Sequence, residues 1–185
     1  PLRDNSAGCR SSRAVTEALA KQSAAVLVLE PAQGLHGALK TARKGVGVYS
    51  IKVTGVASHA GLDFEKGHSA VLELVRQIER IAGFTDLQRG ITVNVGVIRG
   101  GTRSNVVAAE ASAEVDVRIA RRGDAEEVEA KFRSLRAFDE QCALDITGGI
   151  NRPPLERTEG VARLYTLARE IGASLGMELF EAAVG

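Results

Sequence analysis

The sequence predicts an α/β protein in which a complete β-α-β-β-α-β unit interrupts a second, partial α/β layer. Three observations carry that prediction. Residues 48–147 read in order as strand, helix, strand, strand, helix, strand. The segment before them holds an unbroken apolar run, residues 24–29 (Ala-Ala-Val-Leu-Val-Leu), unlike the alternating runs inside the unit. The segment after them starts a new helix and strand behind Asn151-Arg152-Pro153-Pro154.

Taken in order, residues 1–10 are polar and irregular. Ser11 and Ser12 can cap a short helix over 13–22 with Val15, Ala18 and Leu19 on one face. A continuous apolar run such as 24–29 suits a strand buried on both faces, and Pro31 stops it. Glu30 then lies at the carboxyl end of a buried strand, the edge where open α/β sheets bind ligands. Residues 33–47 carry Gly34, Gly37, Gly45 and Gly47 among Lys40, Arg43 and Lys44. The spacing matches no phosphate-binding fingerprint, so the segment reads as a connection.

From Val48 the pattern is regular. Tyr49, Ile51 and Val53 alternate with polar residues as a half-buried strand. Residues 69–82 repeat Val71, Leu74, Val75, Ile78 and Ile81 at helical spacing, with Glu73, Arg76, Gln77, Glu79 and Arg80 assigned to a solvated face. Ile91, Val93, Val95 and Val97 make a second strand, and Ala113, Val115, Val117 and Ile119 a third. Asp124 and Glu127 form a capping-box pattern ahead of a helix with Val128, Phe132 and Leu135. Residues 143–147 make a fourth strand, closed by Gly148-Gly149. This is the ferredoxin-like order, a four-stranded sheet with both helices on one face. Beyond the linker, Thr158 caps a helix with Val161, Leu164, Ala168, Ile171 and Leu175 inward, Gly176 ends it, and residues 177–184 form a strand.

Composition excludes several function classes. The 185 residues carry a formal net charge of +1 and only 4% aromatic residues without Trp, which argues against a nucleic-acid binder and a base-stacking platform. No apolar run approaches the roughly 20 residues of a membrane helix. Cys9 and Cys142 stand far apart in no metal spacing, which fits a reducing, cytoplasmic setting. The chain opens on Pro1 rather than Met, so a leader or upstream region is compatible with it.

His59 is the residue placed for chemistry. It sits in Gly55-Val56-Ala57-Ser58-His59-Ala60-Gly61, between small neighbours on a loop after the first strand. The other loop of interest is Gly100-Gly101-Thr102-Arg103-Ser104-Asn105. His36 and His68 have no partner at ligand spacing and read as surface histidines.

Those two segments, with Val28-Leu29-Glu30-Pro31, Asp116-Val117-Arg118 and Arg152-Pro153, occur in the order found in the M20 family of zinc peptidases, and the chain resembles its glutamate carboxypeptidase branch from Ser11 to Gly185. The resemblance implies a catalytic α/β domain with two zinc ions and an inserted ferredoxin-like lid that makes a homodimer. It divides the chain into partial catalytic pieces at 1–45 and 151–185 around a lid at 46–150. By match, His59 reaches into the partner's active site and polarises the scissile carbonyl, a task suited to an imidazole N–H donor. Asn105 binds substrate from the lid loop, Arg118 supports it, and Arg152 holds the terminal carboxylate through its guanidinium fork. Glu30 falls on a zinc-ligand position.

The departures bear on activity. The family's Asp-Glu-Glu stretch, which carries the general base and a ligand, corresponds to Asp4-Asn5-Ser6, where neither side chain does that work. The upstream His-x-Asp segment and the distal histidine have no counterpart here. The expectation is therefore a fragment with a whole lid, inactive by itself and without zinc of its own. Missing catalytic segments would come from elsewhere, and the substrate partner is a peptide or amide bond next to a terminal carboxylate. Two other readings stand beside it: a non-catalytic dimerisation module, and a small-ligand-binding regulatory domain.

Overall fold

The computed structural model describes residues 12–185. In chain order the elements are α1 (Arg13–Gln22), β1 (Leu39–Arg43), β2 (Gly45–Thr54), β3 (Ser58–His59), α2 (Ala70–Ala82), β4 (Thr92–Gly100), β5 (Val106–Val107), β6 (Glu110–Ile119), α3 (Asp124–Arg133), β7 (Ala143–Arg152), α4 (Glu159–Ser174) and β8 (Glu181–Val184). They fall into two compact units. One holds the residues up to Thr41 together with Glu159–Ala183, and the other holds Ala42–Thr158 with the last two residues.

The larger unit is the ferredoxin-like sheet, with strand order β4-β6-β2-β7 and every neighbour antiparallel. Alternation along β2 and β6 decides which face is inside. Tyr49, Ile51 and Val53 pair with Val115, Ala113 and Ala111 and turn inward, where Leu74 and Ile81 of α2 and Val128 and Phe132 of α3 cover them. Phe132 stacks on Tyr49 with ring centroids 3.8 Å apart and meets Phe84 edge-on at 5.5 Å. Helix α2 starts where Ser69 Oγ accepts the Leu72 amide at 3.3 Å and ends at Gly83.

Several local expectations are corrected here. A bulge between Val95 and Val97 shifts β4, so that Ile98, opposite Ala113, lies on the helix side in place of Val97. The extra residue reverses the alternation beyond it. Strand β7 continues through Gly148 and Gly149 to Arg152, where a linker was expected. Gly148 (φ +114°) allows this, because a Cβ there would overlap the Val48 carbonyl oxygen. Asp124 and Glu127 do not form a capping box. Asp124 is already helical behind Gly123 and no side chain caps the helix. Both carboxylates are instead taken by the Arg89 guanidinium, at 2.5 and 2.7 Å.

The α2 face assigned to solvent is also corrected in part. Glu73 is 1% exposed and Gln77 is fully buried. Glu73 accepts the backbone amides of Phe138 (3.0 Å) and Asp139 (3.0 Å) and the Gln77 side-chain amide (2.7 Å). A carboxylate so occupied can sit in a core because its lone pairs are satisfied.

In the smaller unit, residues 24–29 form no strand, and Leu29 is 99% exposed. A strand needs neighbours for its amides and carbonyls, and among the described residues none lines up with this run. The 33–47 segment contains β1, and Gly34 and Gly37, both at positive φ, close a turn in which Gln33 and Ala38 exchange backbone hydrogen bonds at 2.9 Å. Leu164, Ile171 and Leu175, expected inward, are exposed. Leu39 N–H meets the Phe180 carbonyl at 2.8 Å, and the His36 ring stands edge-on to Phe180 at 6.1 Å.

One prediction arises from the core. The Tyr49 hydroxyl is buried without a hydrogen-bond partner. Burial, followed by the nearby Glu129 charge, pushes its pKa up to about 12. The fold thus favours the neutral phenol. That stability is whole below pH ~10, the unfolded value, and is lost as pH rises to the folded value, by about 2–3 kcal/mol. Tyr49→Phe is expected to keep neutral-pH stability, since no hydrogen bond is lost, and to remove the alkaline decline. Urea unfolding at neutral and alkaline pH checks this; an equal alkaline decline in both proteins would refute it.

Candidate functional site

The candidate site grows from the end of β2. After Thr54 the chain passes so close to the 68–70 segment that a Cβ on Gly55 would overlap the His68 carbonyl oxygen. Val56 and His68 then exchange backbone hydrogen bonds at 2.8 and 2.9 Å, closing the base of a loop. Within it, β3 pairs antiparallel with β5, Ser58 opposite Val107 and His59 opposite Val106. The Ala60 amide donates to the Asn105 carbonyl at 3.0 Å. The structure therefore brings His59 and Asn105, 46 positions apart by their numbers (105 − 59), side by side on one exposed tip.

His59 has a defined imidazole. The Gly61 amide donates to its Nδ1 at 3.1 Å. A neutral imidazole whose Nδ1 accepts carries its proton on Nε2. The free end of His59 is a hydrogen-bond donor. A cleft of about 470 Å³ opens beside the tip, with Ala60, Phe64, Ser69, Arg76, Arg103 and Ser104 among its walls.

His68 is not a bare surface histidine. Its Nδ1 lies 2.9 Å from Asp139 Oδ2 and 3.1 Å from Oδ1. The His68 hydrogen bond, then the Gln141 amide, hold the Asp139 carboxyl below its ordinary range. Sequence spacing offered no signal for this pair. Glu73 and Gln77 did carry one: with Ala70, Leu74 and Ile81 they follow the 3.6-residue period of the buried stripe.

Arg118 and Arg152 stand elsewhere. Both lie opposite Val46, on either side of β2. Val46 and Thr54 are at opposite ends of that strand, about 26 Å apart at ~3.3 Å per residue. The two arginines are thus at the far end of the sheet from His59 and Asn105. Arg118 is committed to Asp116, with Nε–Oδ1 2.8 Å and Nη2–Oδ2 3.1 Å. No carboxylate pairs with Arg152 among the described residues. Glu30, in the smaller unit, has Lys40 Nζ at 3.6 Å. Among the described residues no group of three His, Cys, Asp or Glu side chains is placed to hold a metal ion. Glu30 by itself does not fit a zinc ion, which takes three or four protein ligands. Asp4, Asn5, Ser6 and Cys9 lie outside the described residues.

A family model described as a peptidase dimerisation domain matches residues 41–138. The chain belongs to the M20 peptidase dimerisation-domain family. The matched span covers β2 through α3 and both halves of the His59–Asn105 tip. Among curated proteins, the chain is 29% identical to carboxypeptidase G2 of Pseudomonas sp. (strain RS-16), over 95% of its own length and 44% of that protein's. It is 35% identical to a probable carboxypeptidase of Arthroderma otae, over 55% of the chain and 25% of the relative. The chain therefore spans less than half the length of these M20 relatives. Among solved structures, aminopeptidase PepT from Bacillus cereus ATCC 10987 aligns with a TM-score of 0.66 at 21% identity, covering 82% of the chain and 42% of that protein. The aminobenzoyl-glutamate utilization protein from Klebsiella pneumoniae aligns at 0.56 with 18% identity, over 84% and 41%. At such identities the structural likeness establishes the fold alone, a mixed α/β architecture with an antiparallel sheet. No helix among the described residues is long and apolar enough to cross a membrane.

Proposed function

We propose that this chain is the self-pairing lid, with part of the catalytic layer, of a zinc-dependent M20 carboxypeptidase-type hydrolase working in the cytoplasm. The reaction is cleavage of an amide bond next to a terminal carboxylate. The zinc ligands and the general base come from segments other than residues 12–185, and the chain alone neither holds zinc nor hydrolyses substrate.

The separation of the two ends of the sheet carries this reading. His59 and Asn105 sit beyond one end of β2 and Arg118 and Arg152 beside the other, the strand itself being about 26 Å long at ~3.3 Å per residue. A small substrate cannot touch both ends of one lid, whereas a paired lid can offer its tip to the substrate held at the partner's far end. The Nε2–H of His59 suits the tip for donating to a developing oxyanion. The guanidinium of Arg152, which no carboxylate pairs with among the described residues, suits the far end for a bidentate carboxylate contact. Arg118, whose guanidinium is taken by Asp116, lies at the same end.

Pairing has a physical surface. Strand β4 is an edge of the sheet, and its unpaired amides and carbonyls are a template for another strand. Beside it, Val75 of α2 (47% exposed) and Ile98 of β4 (59% exposed) put apolar surface on the same layer. Sedimentation equilibrium at micromolar concentration is expected to give a dimer; a strict monomer at high concentration would sink the proposal. Zinc analysis and assay with an acyl-glutamate are expected to give neither metal nor turnover for the isolated chain. A non-catalytic dimerisation module is the second reading, favoured by the lack of a metal-ligand group among the described residues. It would prevail if the chain joined to a complete catalytic layer still failed to hydrolyse such substrates.

A further inference from the structure

The carboxylate of Glu73 is buried in the lid and has no part in the proposed reaction, yet it begins a continuous line of contacts that ends at the His59 loop. Glu73 Oε2 accepts the Asp139 amide at 3.0 Å, and its two oxygens share the Phe138 amide at 3.0 and 3.1 Å. The Gln77 side-chain amide bridges Glu73 Oε1 at 2.7 Å and the Arg136 carbonyl at 2.9 Å, so the loop between α3 and β7 is pinned to α2 along residues 136–139. Pinned there, the Asp139 carboxylate receives the His68 imidazole at 2.9 Å and the Gln141 amide at 3.0 Å. His68 in turn holds Val56 through both backbone groups at 2.8 and 2.9 Å, and Val56 lies three positions before His59.

Closing a loop costs conformational entropy, which contacts holding its ends together must offset. The β3–β5 ladder is only two residues long on each side and fixes the tip alone. The base of the loop is fixed at Val56 and His68, and among the described residues the His68 side chain hydrogen-bonds to Asp139 alone. From this we infer that His68 and Asp139 are positioning residues for His59: their contact, anchored by Glu73, keeps the 56–68 loop closed so that the Gly61 amide stays on His59 Nδ1 and Nε2–H points outward as a donor. This deepens the role of His59 proposed above and rests on it.

The test is amide hydrogen exchange of the full chain, read residue by residue by NMR. Ala60 and Gly61 report the tip, because their amides donate to the Asn105 carbonyl and His59 Nδ1. Ile51, Val53 and Val115 report the sheet. In Asp139→Ala the tip amides are expected to exchange at least about tenfold faster with the sheet amides unchanged. In Asp139→Asn, which keeps an acceptor for His68, protection should return toward the parent value. The His59 side-chain spectrum should show a protonated Nε2 in the parent and in Asp139→Asn, and averaging of the two nitrogens in Asp139→Ala. If Asp139→Ala loosens the sheet as well, His68→Leu is read in the same way, since it leaves the Glu73 contacts in place. Unchanged tip exchange in both variants overturns the inference. So does general loss of sheet protection in both, which would make the pair a fold determinant. None of these readouts requires turnover or dimer formation, so a failure here is distinct from failure of the proposed function, which shows as a monomer or an inactive assembled enzyme.

Discussion

Phe132→Ala is expected to lower the stability of the ferredoxin-like unit by about 3–5 kcal/mol, the range for an aromatic removed from a packed core. Phe132 is 1% exposed and lies under the sheet between two rings, stacked on Tyr49 at 3.8 Å and edge-on to Phe84 at 5.5 Å. Its removal gives up the transfer free energy of the ring and leaves a void bounded by β-sheet on one side. Strands β2 and β6 are paired over ten registered positions and cannot close the gap by shifting. Both aromatic contacts are lost together, each worth about 0.5–1.5 kcal/mol beyond area. Phe132→Leu, which retains most of the volume, should cost about half as much or less. Chemical denaturation followed by circular dichroism measures both. A loss under 1 kcal/mol in Phe132→Ala would show that the two helices rearrange over the sheet independently of this residue.

The second large effect is on self-association. Ile98→Asp is expected to weaken the proposed dimer by about 3–5 kcal/mol, the penalty for leaving a charge buried and unpaired, or some two to three and a half decades in Kd. Ile98 faces the α2 side of the edge strand only because of the bulge at Val95 to Val97. There it lies in one layer with Val75, and both are largely exposed within the single chain. Nearby, Val71 packs against the strand end, so that a Cβ on Gly100 would stand 2.9 Å from its Cγ2. Asp at the opposite edge, Asp145, is natural and leaves β7 charged. The control is Val97→Asp on the other face of β4, where Val97 is opposite Glu114, and it should weaken pairing less. Sedimentation equilibrium of the two variants decides. Equal dimerisation of Ile98→Asp and the parent would move the pairing surface away from this edge.

Much of the fold was legible because its signals are local. The two-residue alternation of Tyr49, Ile51 and Val53 and of Val115, Val117 and Ile119 placed β2 and β6, and the helical spacing of Leu74 and Ile81 placed α2. What failed depended on partners. Residues 24–29 have a strand's composition but no neighbour to pair with among the described residues, and they remain exposed. Asp124 and Glu127 have a capping pattern, but Arg89, 35 positions from Asp124, takes both carboxylates. The bulge in β4 depends on register with β6, which no property of β4 alone specifies.

By itself the sequence determined the β-α-β-β-α-β order, the inward and outward positions along β2 and β6, and the two loops that carry His59 and Asn105, since these follow from the periods of strand and helix and from glycine-rich punctuation. The tertiary structure alone decided that those loops join at one tip, that the Gly61 amide leaves the His59 proton on Nε2, that Arg118 and Arg152 lie at the other end, and that Glu73 and His68 are tied to the Phe138–Asp139 loop. The physical reason is range. Backbone period and side-chain polarity act over a few residues, whereas a hydrogen bond between His68 and Asp139 or a register between β2 and β7 exists only once segments some 70 to 100 residues apart have been packed together.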